Sequence, residues 1–233
     1  QTLLQVVSIC TTNPVYGLTV TNIVSFSWDT RSTCNGTSLS GMTLSNVLLR
    51  ATADDGDVSC QTPAVEPFLV DNQAPSAGSA SVIVETGAVY TLNLDLYATW
   101  SGFLDDGAGI SGYYYNLADN GGTTSGTWTV ETNALVPVAA PDAVNTVFVW
   151  SRDEYGNLST AVSNSILALN PAGDYDGDDL ENSQEAVFGA NLFVADTDGD
   201  TIRDGWEATY GMSPTNNSDA ATDTDGDGYN NLA

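Results

Sequence analysis

Asp196-Thr197-Asp198-Gly199-Asp200-Thr201-Ile202-Arg203-Asp204-Gly205-Trp206-Glu207 is the middle one of three stretches that share a single spacing. The first runs from Asp174 to Glu185, and the third opens at Asp223 and reaches Asn231. Side-chain oxygens stand at positions one, three, five and nine of each. These are Asp174, Asp176, Asp178 and Asn182, then Asp196, Asp198, Asp200 and Asp204, then Asp223, Asp225, Asp227 and Asn231. A carboxylate follows at position twelve in the first two, Glu185 and Glu207. Position seven is apolar or aromatic (Leu180, Ile202, Tyr229) and is expected to contribute its backbone carbonyl. Six to eight oxygens at these intervals are the donor set that calcium takes from a twelve-residue loop.

Two carboxylates about 5 Å apart repel by roughly 3 kcal/mol at an effective dielectric near 20, and each loop holds several such pairs. A loop of this kind closes only around a cation, so ion binding and folding are expected to be one event. A disordered acidic linker is the alternative. Phe188, Phe193, Trp206 and Tyr210, set between in-register repeats, are not linker chemistry.

The whole chain of 233 residues carries 30 acidic side chains against 4 basic ones, all arginine, for a net charge of −26. That charge disfavours nucleic acid and anionic membrane as partners. Hydrophobic residues make up 42%, enough for cores, and the length accommodates more than one domain. No apolar run is long enough to span a membrane. Nor is there a recognisable leader, and Gln1 could equally follow a cleavage point or an arbitrary cut. The Ser/Thr/Gly/Asn-rich composition, the missing lysines and the calcium loops point to an extracellular or cell-surface location.

Cys10, Cys34 and Cys60 are odd in number and lack metal-ligand spacing. In an oxidising compartment Cys34 with Cys60 is the expected pair, with Cys10 free or joined outside the chain. Three reduced, buried cysteines are the alternative. Asn35, Asn157 and Asn216 each head an Asn-x-Ser/Thr triplet and could carry glycans in a glycosylating host.

Residues 1–73 read as short strands separated by turns. Leu3–Ile9, a strand within Leu18–Trp28, Val47–Ala53 and Val65–Val70 are the expected members, with Asp54-Asp55-Gly56-Asp57 as a turn. Beyond a Pro/Ser/Gly joint at Ala74–Gly78, a second set is expected at Ser81–Glu85, Tyr90–Trp100, Ile110–Asn116, Thr127–Glu131, Val144–Ser151 and Ala161–Leu169. Strands at this spacing without intervening helices imply β-sandwiches. The fold class is therefore mainly β: two tandem sandwiches, 1–73 and 74–170, followed by a calcium-stabilised irregular repeat region with short helices, 171–233.

Particular residues carry family resemblances. Val24-Ser25-Phe26-Ser27-Trp28-Asp29-Thr30, Leu48 to Asp54 and Leu69-Val70-Asp71-Asn72-Gln73-Ala74-Pro75 resemble a bacterial immunoglobulin-like module. Trp100-Ser101-Gly102-Phe103, the run from Gly109 to Tyr115 and Asp153-Glu154-Tyr155-Gly156-Asn157 resemble a fibronectin type III-like module. The last sixty residues, with Asp204-Gly205-Trp206-Glu207 and Gly211-Met212-Ser213-Pro214, resemble thrombospondin type 3 repeats of secreted bacterial proteins. That likeness implies a ladder of ions along a stiff segment. Two departures stand out: loop position six, where glycine is usual, is Asp179 in the first loop and Thr201 in the second, and only Gly228 conforms. A dockerin-like partner-binding module is the competing reading, weakened because Gly189 and Gly211 interrupt any long helix after each loop.

Without histidine or lysine, the usual nucleophile and Schiff-base arrangements have no base or amine. Asp105-Asp106 and Asp54-Asp55-Asp57 read as turns rather than a glycosidase pair. The expected role is thus non-enzymatic and structural: a link of a surface stalk, adhesin or fibre. Its partners would be other copies of itself or neighbouring modules of a longer chain. The alternative is a carbohydrate-binding or spacer region of a secreted hydrolase, with Tyr113, Tyr114, Tyr115 or Trp128 stacking on surface polysaccharide. Alternation divides the tyrosines between two faces. The third loop lacks its position twelve, since Ala233 is position eleven, so head-to-tail assembly that completes the site from outside is expected.

Overall fold

A computed structural model describes residues 3–5, 33–34, 37–38, 40–47, 52–54, 59–61, 68–119 and 125–232. Among them the chain is mainly β, with strands far outnumbering two short α-helices. The first part contributes β1 (Leu3–Gln5), β2 (Thr33–Cys34), β3 (Thr37–Ser38), β4 (Thr43–Val47), β5 (Thr52–Asp54), β6 (Ser59–Gln61) and β7 (Phe68–Asp71). Strands β1, β5 and β6 form one antiparallel sheet, while β4 pairs with β7. Asp54, expected in a turn, ends β5 opposite Ser59 of β6. The expected strand within Leu18–Trp28 lies outside the described residues, as does Cys10.

The best-defined layers follow: β8 (Ser81–Val84), β9 (Tyr90–Thr91), β10 (Asp95–Ser101), β11 (Ile110–Asn116), β12 (Thr127–Thr129), β13 (Asn133–Pro137), β14 (Ala143–Asp153) and β15 (Val162–Ala168). One sheet has the order β13-β10-β8 and the other β12-β11-β14-β15-β9, all antiparallel except the short β15–β9 pairing. Alternation decides which side chains turn inward. Leu96, Ala98 and Trp100 of β10 are buried, and Val147 and Val149 of β14 meet them from the other sheet. With Val82, Val84, Val136, Ile166 and Ala168 they form one core between two layers.

Two differences from the expected strands have local causes. The run Tyr90–Trp100 is not continuous: β9 pairs with β15, and β10 belongs to the other sheet. The break falls where the Asn93 N–H donates to the Thr91 hydroxyl, a side-chain turn that bends the backbone. Strand β13 was not expected, because Asn133-Ala134-Leu135-Val136-Pro137 is short, and only Val136 of it is buried.

The C-terminal region contains α1 (Asn182–Phe188) and α2 (Asp204–Tyr210), each of seven residues. Both stop at a glycine in the left-handed region, Gly189 (φ 76°) and Gly211 (φ 77°), as expected from the sequence. Phe193 packs edge-on against Tyr90 of β9 and Tyr175 of the first loop, joining this region to the sheets. No helix among the described residues is long and apolar enough to cross a membrane.

Candidate metal centre

The three aspartate loops adopt one conformation. In each, the first aspartate accepts the N–H of position four on Oδ1 (Gly177, Gly199, Gly226; 2.7, 2.8 and 2.7 Å). Its Oδ2 accepts the N–H of position six (Asp179, Thr201, Gly228), at 2.9 Å in every loop. Position five accepts the N–H of position seven: Asp178 from Leu180 at 2.8 Å, Asp200 from Ile202 at 2.8 Å and Asp227 from Tyr229 at 2.9 Å. Both inner turn positions are left-handed throughout, so Asp179 (φ 74°) and Thr201 (φ 82°) hold the conformation of Gly228 (φ 94°). The position-four glycines were not singled out from sequence, although their recurrence was visible there.

This frame gathers the carboxylates. Oxygens of Asp174, Asp176 and Asp178 lie within 4.8 Å of one another, as do those of Asp196, Asp198 and Asp200, and those of Asp223, Asp225 and Asp227. Leu180 and Ile202 turn their side chains inward and are buried, whereas Tyr229 is exposed. Each helix then delivers its position-twelve glutamate from its first turn. Glu185 and Glu207 are both 0% exposed, and none of their four carboxylate oxygens has a hydrogen-bond partner. Both oxygens of Asp176 and the Oδ2 atoms of Asp198 and Asp200 are likewise buried and bare.

Electrostatics follows from that placement. Burial, with the charges of Asp176 and Asp178 beside it, pushes the Glu185 carboxyl up to about 7. Burial together with Asp198, Asp200 and Asp219 pushes Glu207 up to about 8. Asp176 and Asp198 are raised for the same leading reason, desolvation. Asp178 is raised by burial as well, although the N–H groups of Leu180 and Gly205 pull it the other way.

The position-nine side chains make hydrogen bonds of their own at each loop. Asn182 accepts the Tyr175 N–H on Oδ1 and donates to the Asn170 carbonyl. Asp204 accepts both the N–H and the hydroxyl of Thr197. Asn231 accepts the Thr224 N–H and donates to the Asp219 carbonyl. Position nine therefore braces each loop through hydrogen bonds, and an oxygen that accepts one N–H keeps a lone pair for a cation, as in the first aspartate of each loop. Sequence reading also missed Asp219, whose carboxylate lies within 4.8 Å of Asp200 and Glu207.

A further acidic group, Asp71, Asp105 and Asp153, behaves differently. Asp71 accepts the Thr43 hydroxyl and the N–H groups of Gln73 and Ala108. Asp153 accepts the N–H groups of Tyr155 and Asn157 and the Asn157 amide. Asp105 accepts the Gly109 N–H, as its expected turn role requires. These carboxylates have donors and need no ion to account for them. Asn157, a candidate glycan acceptor, spends its amide nitrogen on Asp153 and on the Asp71 carbonyl.

Tyr113 and Tyr115 face the core against Trp100, while Tyr114 lies on the opposite side against Trp128 and Trp150. The Tyr114 and Trp128 rings meet at 59°, with Arg152 over Trp128, and so do not form a coplanar platform. Compared with known proteins, the chain matches no protein-family model and no curated protein.

Proposed function

We propose that residues 171–233 bind calcium and that the chain is an extracellular, non-enzymatic structural link of a stalk, adhesin or fibre. In this reading residues 1–73 and 74–170 are immunoglobulin-like and fibronectin type III-like sandwiches. They carry a thrombospondin type 3-like ladder that engages neighbouring modules or other copies of the chain. The observation that carries the metal assignment is the pair Glu185 and Glu207, fully buried with every carboxylate oxygen bare among aspartates. A buried carboxylate without donors is strongly disfavoured unless it is neutralised or coordinates a cation. Oxygen-only donors from flexible loops suit calcium better than softer or strictly octahedral ions.

The energetics of the region agree. Its large buried apolar side chains are Leu180, Leu192 and Ile202. So few large apolar side chains make no ordinary hydrophobic core, and an ion that binds only the folded form would add its binding free energy to folding.

Isothermal titration with calcium chloride should show saturable binding, and stripping the metal should unfold residues 171–233 while the sheets of residues 81–168 persist. Identical melting with and without chelator would refute the metal assignment.

A further inference from the structure

Asp219 belongs to none of the three loops. It opens a single 3-10 turn (Asp219–Ala221) in the connector between α2 and the third loop. Its two carboxylate oxygens have different fates. Oδ2 accepts the Ser213 N–H at 3.0 Å, which pins the side chain to its own connector. Oδ1 is sealed from solvent and has no partner.

Oxygens of Asp200, Glu207 and Asp219 lie within 4.8 Å of one another. Two oxygens on opposite sides of one calcium ion are separated by about 4.6–5.2 Å, twice the usual bond length, so this group is compact enough to share one ion. Glu207, 0% exposed, contributes an oxygen to the group and has no hydrogen-bond partner on either oxygen, and the Oδ2 of Asp200 is likewise buried and bare. The connector is drawn onto the second loop at a second point, where the Asn217 amide donates to the Asp198 carbonyl at 3.1 Å. Arg203, the arginine nearest in sequence, is turned away to the Gly177 carbonyl of the first loop.

We propose that Asp219 is a metal ligand of the second loop, so that an ion held by Asp200, Glu207 and Asp219 clamps the connector onto that loop. This assignment rests on the calcium reading above and extends it, because one ion then fixes two successive repeats. The first loop is tied to its successor by a backbone donor, the Gly205 N–H on Asp178. Calcium at the second loop would accordingly order residues 213–222 and set the direction in which the third loop leaves.

Asp219→Asn separates a ligand from a brace, since the amide oxygen still accepts the Ser213 N–H while the anionic charge is gone. Calcium chloride is titrated into wild type and variant, following bound metal by calorimetry and amide exchange in residues 213–222. Loss of second-sphere partners alone weakens metal sites by about 10–100-fold, so loss of a direct ligand should weaken this one at least about tenfold. Calcium-dependent protection of residues 213–222 should disappear with it. The metal-stripped variant should melt no lower than metal-stripped wild type, because one repelling carboxylate has been removed. Unchanged calcium affinity and protection would overturn the assignment, and so would equal destabilisation with and without calcium, the mark of a brace. Wild type that takes up no calcium would instead remove the underlying metal reading, and this assignment with it.

Discussion

The Gly205 backbone N–H donates to Oδ2 of Asp178 at 3.1 Å, so the helix that follows the second loop begins on a carboxylate of the first. The repeats are thus interlocked rather than strung in line. Asp204, the first residue of the same helix, also adds its charge to those raising Asp176, Asp178 and Glu185. On the proposed calcium reading, filling the first loop favours the docked position of α2, and α2 carries the glutamate of the second loop.

Gly205→Ala tests the interlock. A Cβ there would stand 2.3 Å from the Asp178 carbonyl oxygen and 2.9 Å from the Asp179 carbonyl carbon, both backbone atoms that cannot swing aside. Overpacking of this kind costs about 1–3 kcal/mol. Chemical denaturation in calcium should show that loss in the C-terminal transition, with weaker calcium binding at the first loop. A variant as stable as wild type would mean that the docking is not tight in solution.

Asp198→Ala and Asp142→Ala should separate metal affinity from architecture. Asp198 has a bare, buried Oδ2, so its loss should reduce calcium affinity at least about tenfold while leaving the metal-free protein no less stable. Asp142, which the sequence presents as an ordinary Pro-Asp turn, sits at φ 57° and accepts the Asn170 N–H at 2.8 Å, at the joint between the sheets and the loops. Its replacement should cost about 1–3 kcal/mol of stability, with calcium affinity unchanged. Matching titrations of the two variants would contradict the placement of Asp198.

Thr201→Gly should stabilise the second loop. A β-branched residue at φ 82° bears a left-handed penalty of about 1–2 kcal/mol, partly offset by roughly 0.5–1 kcal/mol of extra glycine entropy. Its N–H bond to Asp196 survives the change. Tighter calcium binding or a higher melting temperature is expected, with a smaller gain for Asp179→Gly, since aspartate tolerates this region better. A loss of stability would show that the threonine side chain contributes something the glycine cannot replace.

What could be read in the sequence was whatever is local. The β-branched and aromatic run Val144–Ser151 marked β14, and the aspartate spacing marked three equivalent loops. Position nine was half legible: the spacing offers an oxygen there, but the hydrogen bonds that Asn182, Asp204 and Asn231 make depend on where the neighbouring backbone turns. Asp219 was illegible for another reason: it stands twelve residues beyond Glu207 and reaches the site only through the fold of its connector. The strand break at Asn93 depended on a single side-chain hydrogen bond and on which sheet accepted each half.

The response to pH should reverse when the metal is removed. In the metal-free protein Glu185 and Glu207 titrate near 7 and 8, above their ordinary value of 4.5. Between that ordinary value and those raised ones the folded form binds more protons than the unfolded chain, so metal-free stability falls as pH rises through the window. Below it both forms are protonated at these groups and they make no further contribution. Calcium requires the same carboxylates ionised, so binding expels protons and affinity should rise with pH until about 8, then level off. Melting curves of metal-stripped protein should therefore move down from about pH 5 to about pH 8.5, while calorimetric calcium affinity moves up over the same interval. Parallel movement of the two would place the raised carboxyls outside the ion sites.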